Sequence, residues 1–172
     1  MKYTGIGSRK APKNILLEFE NIGYQLAKQG YLLRSGGADG CDSAFEKGCL
    51  KVNGDRNIFL PWENFNNNPS KRYYISQEAY KIGKKYFEMT GRAWDSLNIA
   101  VKKLMARNGY QILGQRLNYP SDFVVCWTPE GKEIGGTSQA LRIAKDYNIK
   151  VYNFGKEEDK KAFYEDFQIN DI

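Results

Sequence analysis

The chain has 172 residues and a mass of 19.7 kDa, room for one domain that buries roughly two thirds of its unfolded surface and too little for a second full one. Hydrophobic residues at 41% and charged residues at 27% exclude disorder along the whole chain. A net charge of +6 permits an anionic ligand or nucleic acid, and the absence of histidine excludes Ser-His-Asp and Cys-His nucleophile systems and His-ligated metals.

Short apolar runs alternate with helical periods from the start. Lys2–Ile6 predicts a strand ending in the loop Gly5-Ile6-Gly7-Ser8-Arg9. This opening has no signal-peptide pattern, and the expected location is the cytoplasm. A helix follows with Pro12 in its first turn, Ile15, Leu16, Phe19, Ile22 and Leu26 at helical spacing, and Gly30 closing it. Tyr31–Arg34 is the second strand and Ser35-Gly36-Gly37-Ala38-Asp39-Gly40 a second glycine loop. It leads into a helix from Gly40 to Leu50, with Asp39 or Asp42 as a capping carboxylate. Cys41 and Cys49 lie about 12 Å apart along such a helix, beyond the Cα limit of about 7 Å for a bridge. With Cys126 in an apolar strand, buried thiols in a reducing compartment are expected.

Asn57–Leu60 predicts the third strand, stopped by Pro61, and the Asn-rich, aromatic stretch Trp62–Ser76 a loop. Helices are predicted over Gln77–Glu88 and Ala93–Arg107, the second presenting Trp94, Leu97, Val101, Leu104 and Met105 as a core stripe. Arg107, Asn108 and Gln111 then cluster where that helix ends. Asp122–Trp127 is a continuous apolar run, as expected of a strand buried on both faces; it falls short of the about 18 residues a membrane helix needs. Gly131–Thr137 is the third glycine loop, opening a helix that carries Ala140, Leu141, Ala144 and Tyr147, and Lys150–Asn153 is the last strand. The charged segment from Lys156 to Ile172 predicts a short amphipathic helix. The expected organisation is one Rossmann-like domain over residues 1–155 with a C-terminal helical tail over 156–172: an α/β, doubly wound, mainly parallel sheet with helices on both faces.

In such a fold the loops that follow the strands gather at one sheet edge, where ligands bind. Glycine lets backbone N–H groups approach a ligand, and each following helix start adds about half a positive charge, which suits phosphate. Gly7, Ser8, Arg9, Ser35, Gly36, Gly37, Ala38, Gly135, Gly136 and Thr137 are therefore candidate ligand-binding residues, with Arg9 able to bind phosphate bidentately. Asp42 could accept from ribose hydroxyls, and it and Glu46, one turn on, are the candidate catalytic carboxylates. Trp62, with Phe65, Tyr73 and Tyr74, could stack on a base, while Arg107, Asn108 and Gln111 could face the pocket.

The segments Gly7-Ser8-Arg9, Ser35-Gly36-Gly37-Ala38-Asp39-Gly40-Cys41-Asp42 and Gly135-Gly136-Thr137 resemble the nucleotide-binding superfamily that joins DNA-processing protein A to the "Lonely guy" phosphoribohydrolases. Phe59-Leu60-Pro61-Trp62, Ala106-Arg107-Asn108, Gln111-Ile112-Leu113-Gly114 and Asp122–Thr128 resemble the small stand-alone members frequent in bacteriophages. The match spans roughly Tyr3 to Asn153. The resemblance implies a Rossmann-like fold that binds nucleotides or nucleotide-derived molecules and is often a homo-oligomer. The phosphoribohydrolases carry a catalytic Glu two residues after the Thr of the third loop; here that place holds Gln139, and an amide cannot act as a general acid or base. The DNA-processing proteins bind single-stranded DNA and add domains that load a recombinase, which a chain of this length is not expected to hold.

The first reading is therefore a binding protein for a nucleotide-derived small molecule, of ADP-ribose or cyclic-nucleotide type, requiring no cofactor and no metal; in a phage it would sequester a host immune messenger. The alternatives are a nucleotide N-glycosidic or phosphoester hydrolase using Glu46 or Asp42, and a single-stranded DNA-binding protein supported by the positive charge and the aromatics.

Overall fold

The five strands are short, and a glycine or proline lies at or within three residues of each strand's end. They are β1 (Lys2–Gly7), β2 (Leu32–Ser35), β3 (Arg56–Ile58), β4 (Phe123–Trp127) and β5 (Lys150–Asn153). The computed structural model describes residues 1–169 and joins these strands in one parallel sheet of order β3-β2-β1-β4-β5. The α/β, Rossmann-like fold read from the sequence is the fold observed. β1 and β4 lie at its centre, with Gly5 opposite Val125 and Gly7 opposite Trp127. Among the described residues no helix is long and apolar enough to cross a membrane.

Helices α1 (Lys13–Lys28), α2 (Cys41–Leu50) and α6 (Glu157–Asp166) cover one face. Their apolar sides meet in a cluster containing Phe19, Leu26, Phe45, Phe123, Phe154 and Phe163. Helices α3 (Gln77–Glu88), α4 (Ile99–Leu113) and α5 (Gly135–Asp146) cover the other, over Ile6, Val124, Cys126, Ile112 and Ile143. Pro12 immediately precedes α1 as its cap residue, and Gly30 at φ +86° follows the helix. The three cysteines are free and buried. The predicted tail forms α6, whose Phe163 is fully buried; residues 170–172 lie outside the described residues.

One predicted helix is corrected. In place of a continuous Ala93–Arg107 helix there is a single 3-10 turn at Trp94–Ser96, and Asn98 then caps α4 by accepting from the Val101 amide at 2.9 Å. Of the predicted core stripe only Trp94 is buried. The buried part of α4 runs from Ala106 to Leu113, so Arg107, Asn108 and Gln111 lie inside the helix, not at its end. At the end of α4, Arg34 of β2 donates through Nη1 to the carbonyls of Tyr119 at 2.6 Å and Ile112 at 3.4 Å, and to Ser121 Oγ at 3.1 Å. This ties the strand that carries the second glycine loop to the helix above it. Neither Asp39 nor Asp42 caps α2: the cap residue is Gly40, and Asp39 accepts instead from Asn66 Nδ2 at 2.8 Å.

Candidate functional site

The chain runs from β1 outward to β2 and β3 and then returns to place β4 on the other side of β1. The loops after β1 and β4 therefore diverge, and the gap between them is where open α/β sheets bind ligands. A cavity of about 440 Å³ occupies this place. Gly7, Ser8 and Arg9 line it from the first loop, Ala38 and Asp42 from the second, and Gly135, Gly136 and Thr137 from the third. Arg107, Asn108 and Gln111 of α4 line it as well. The glycine corners do converge.

The first and second loops approach each other closely. A Cβ at Gly7 would lie 2.5 Å from Cys41 Sγ, so only glycine fits there. Their amides are directed at a residue of the protein. Ala38 N donates to Asp42 Oδ2 at 3.3 Å, and the backbone of Gly7 and Gly36 also favours the charged carboxylate. Burial pushes the Asp42 carboxyl up to about 6, against the opposing pull of Arg107 and of these backbone groups. Burial likewise brings the Arg107 guanidinium down to about 10, with Asp42 opposing and Arg9 adding to the shift. Arg107 Nη1 donates to the carbonyls of Gly36 and, at 3.1 Å, Phe59, and the guanidinium lies 5.7 Å from the centre of the Phe65 ring.

An amide network fixes the wall formed by α4. Gln111 Nε2 donates to Asn108 Oδ1 at 3.1 Å, Asn108 Nδ2 donates to Gln139 Oε1 at 2.8 Å, and Gln139 Nε2 donates to the Gly83 carbonyl at 2.9 Å. A glutamate at 139 could not make the last bond, because a carboxylate has no donor. Gln139 thus holds a structural place where the resembled hydrolases carry a catalytic carboxylate.

The third loop is arranged differently. Gly135, at φ +76° where most side chains are strained, begins α5, and no side chain caps the helix. Its first turn contains no acidic residue. Its first residues, Gly135, Gly136 and Thr137, line the cavity together with Arg9 and Lys10, both exposed. Phe65, Leu104, Met105 and Ile134, the last preceding Gly135 at the start of α5, supply the apolar part of the lining.

Several predicted residues lie elsewhere. Ser35 Oγ donates to the Gly5 carbonyl at 2.6 Å, pinning β2 to β1. Gly36 packs under α4, where a Cβ would lie 2.7 Å from both Arg107 Nη1 and Gln111 Nε2. The Gly37 carbonyl accepts from Asn66 Nδ2 at 3.2 Å. Trp62 does not line the cavity; its indole meets Phe65 edge-on at 5.2 Å, and Phe65 is the ring that reaches the site. Glu46 points to the other side of the second loop, where both carboxylate oxygens accept from Asn68 Nδ2 at 2.9 and 3.0 Å. The sequence reading missed Leu104 and Met105 as wall residues because their helical spacing also fits a core face, and Ile134 because it lies just outside the glycine motif.

No family model matches the sequence, and no curated protein matches it at a significant level. Among solved structures the chain is similar to DNA processing protein A from Helicobacter pylori, described for its single-stranded DNA binding mode, at 20% identity and TM-score 0.58. That match covers 99% of this chain and 74% of the other. It is also similar to the Moco carrier protein of Chlamydomonas rheinhardtii at 16% identity and TM-score 0.52, covering 97% of this chain and 84% of that one. At these identities the likeness establishes a shared fold.

Proposed function

We propose that the protein binds a nucleotide-derived, phosphorylated small molecule, of ADP-ribose or cyclic-nucleotide type, in the cavity between the loops that follow β1 and β4. One observation carries this reading: a single cavity joins an uncapped helix N-terminus and Arg9 to a wall of Phe65, Leu104, Met105 and Ile134. The first part suits a phosphoryl group and the second a base. The carboxylates favour holding over cutting. Glu46 lies outside the cavity, Asp42 is engaged by backbone amides, and Gln139 is an amide. The neighbouring structures, one described for binding and one named as a carrier, support a binding role. A binding protein without a general base fits the sequestering of a host immune messenger by a phage, working in the host cytoplasm as a homo-oligomer.

The direct test is to heat-denature protein purified from its natural host and identify the released small molecules by mass spectrometry. The expected result is a phosphorylated nucleotide derivative in near-stoichiometric amount. At about 100 times its Kd such a ligand stabilises by about 2.7 kcal/mol, a Tm rise of roughly 5–10 °C at this chain size. Empty protein whose Tm no nucleotide raises would overturn the reading. Single-stranded DNA is the second reading, favoured by the net charge of +6 and by exposed Arg9 and Lys10 at the mouth. Tight, steeply salt-dependent DNA binding would favour it instead.

A further inference from the structure

Two of the three glycine loops already hold an anion. The Asp42 carboxylate accepts from the Ala38 amide at 3.3 Å, with the backbone of Gly7 and Gly36 also favouring its charge; it is 4% exposed, and the 5% exposed Arg107 supplies positive charge nearby. Glycine-loop amides with a buried guanidinium form the donor set that a phosphoryl group would take. The start of α5, on the same cavity, has no side-chain cap and no acid in its first turn. A second phosphoryl group reaching past the α5 end toward the first two loops would meet a carboxylate in a place with little water to screen it.

We propose that this is a one-phosphate site: Asp42 is the resident anion of the cradle formed by the first two loops, and only the α5 end with Arg9 is left for a ligand's phosphoryl group. This rests on the phosphorylated-ligand reading above and narrows it. The ligand class becomes a nucleoside monophosphate or phosphodiester, cyclic nucleotides included, and diphosphates of ADP-ribose type are rejected. Asp42 acts here as a specificity-determining residue through charge repulsion against the wrong ligand.

The test is calorimetric titration of AMP and ADP into wild-type protein and Asp42→Asn at pH 8, where the wild-type carboxylate is ionised. Wild type is expected to bind AMP about tenfold tighter than ADP, and Asp42→Asn to lose or reverse that preference. A second measurement asks about the cradle itself: Asp42→Gly should melt several degrees lower than wild type, and formate, a free carboxylate, should raise its Tm saturably while leaving wild type unchanged. Wild-type protein that binds ADP tenfold tighter than AMP would overturn the one-phosphate inference and leave the ligand reading standing. Binding of neither nucleotide, with no Tm rise from a cyclic mononucleotide or from ADP-ribose, removes both. A folded Asp42→Gly protein indifferent to formate also overturns the inference, because the cradle would then have no affinity for an anion.

Discussion

Arg107 and Asp42 carry opposite charges into a place where neither is hydrated, and each is held by backbone groups in addition to the other's charge. Arg107 donates to the carbonyls of Gly36 and Phe59, and Asp42 accepts from the Ala38 amide. They make no direct ion-pair contact, so each is compensated chiefly by its hydrogen bonds, and removing either leaves the other buried charge less compensated. Arg9 is the contrasting case, exposed at the cavity mouth. Arg9→Ala is expected to leave Tm within about 1–2 °C of wild type, as surface substitutions do. Its ligand affinity should fall roughly tenfold to a hundredfold, the worth of a charge-assisted hydrogen bond of about 1.5–3 kcal/mol. Calorimetry on the ligand recovered from the native protein checks this. Unchanged affinity would remove Arg9 from the site. At this scale the sequence was legible where one residue type has few uses. Gly7, Arg9 and Gly135 sit where their loops suggested, but the sequence did not show that the backbone of Gly7 and Gly36 would favour the charge on Asp42, because that depends on how two loops from different strands meet.

Helix α2 sets the position of the second loop, and its own position is set by close contact with α1. A Cβ at Gly48 would lie 1.9 Å from the Glu20 carbonyl oxygen, and one at Gly23 would lie 2.4 Å from that of Phe45. Each helix thus accepts the other's backbone at a glycine. Alanine raises helix propensity by about 1 kcal/mol over glycine. In Gly48→Ala the backbone clash has no flexible side chain to absorb it, and overpacking costs typically 1–3 kcal/mol or more. The variant is therefore expected to be destabilised by about 1–2 kcal/mol in urea denaturation, and a stabilised variant would show that the helices separate easily. The misread helix belongs to this scale as well. Trp94, Leu97, Val101, Leu104 and Met105 repeat as a core face does, yet Asn98 sits three residues before Val101 in the manner of a cap. That local signal outranked the periodicity. The polar residues Arg107, Asn108 and Gln111 looked like a helix end because their buried partners come from the second loop and α5, far away in sequence.

For the whole molecule, the alternation of strand, glycine loop and helix made the α/β class readable in advance. It did not reveal that Phe163, in a segment dominated by charge, would be fully buried. Phe163 stacks on Phe167 at 4.8 Å and meets Tyr152 and Phe154 edge-on at 5.5 Å each. Phe163→Ala should cost about 3–5 kcal/mol, lowering Tm by roughly 10 °C as read by calorimetry; a shift under 2 °C would mean that α6 is an ornament on the fold. The tie through Arg34 has a consequence for how a guest is received. It joins the strand beneath the second loop to the last turn of the helix that carries Arg107, Asn108 and Gln111 and to the segment after it. Floor and wall thus share one hydrogen-bonded frame. A guest of the proposed kind would then spend less of its binding free energy on ordering its host.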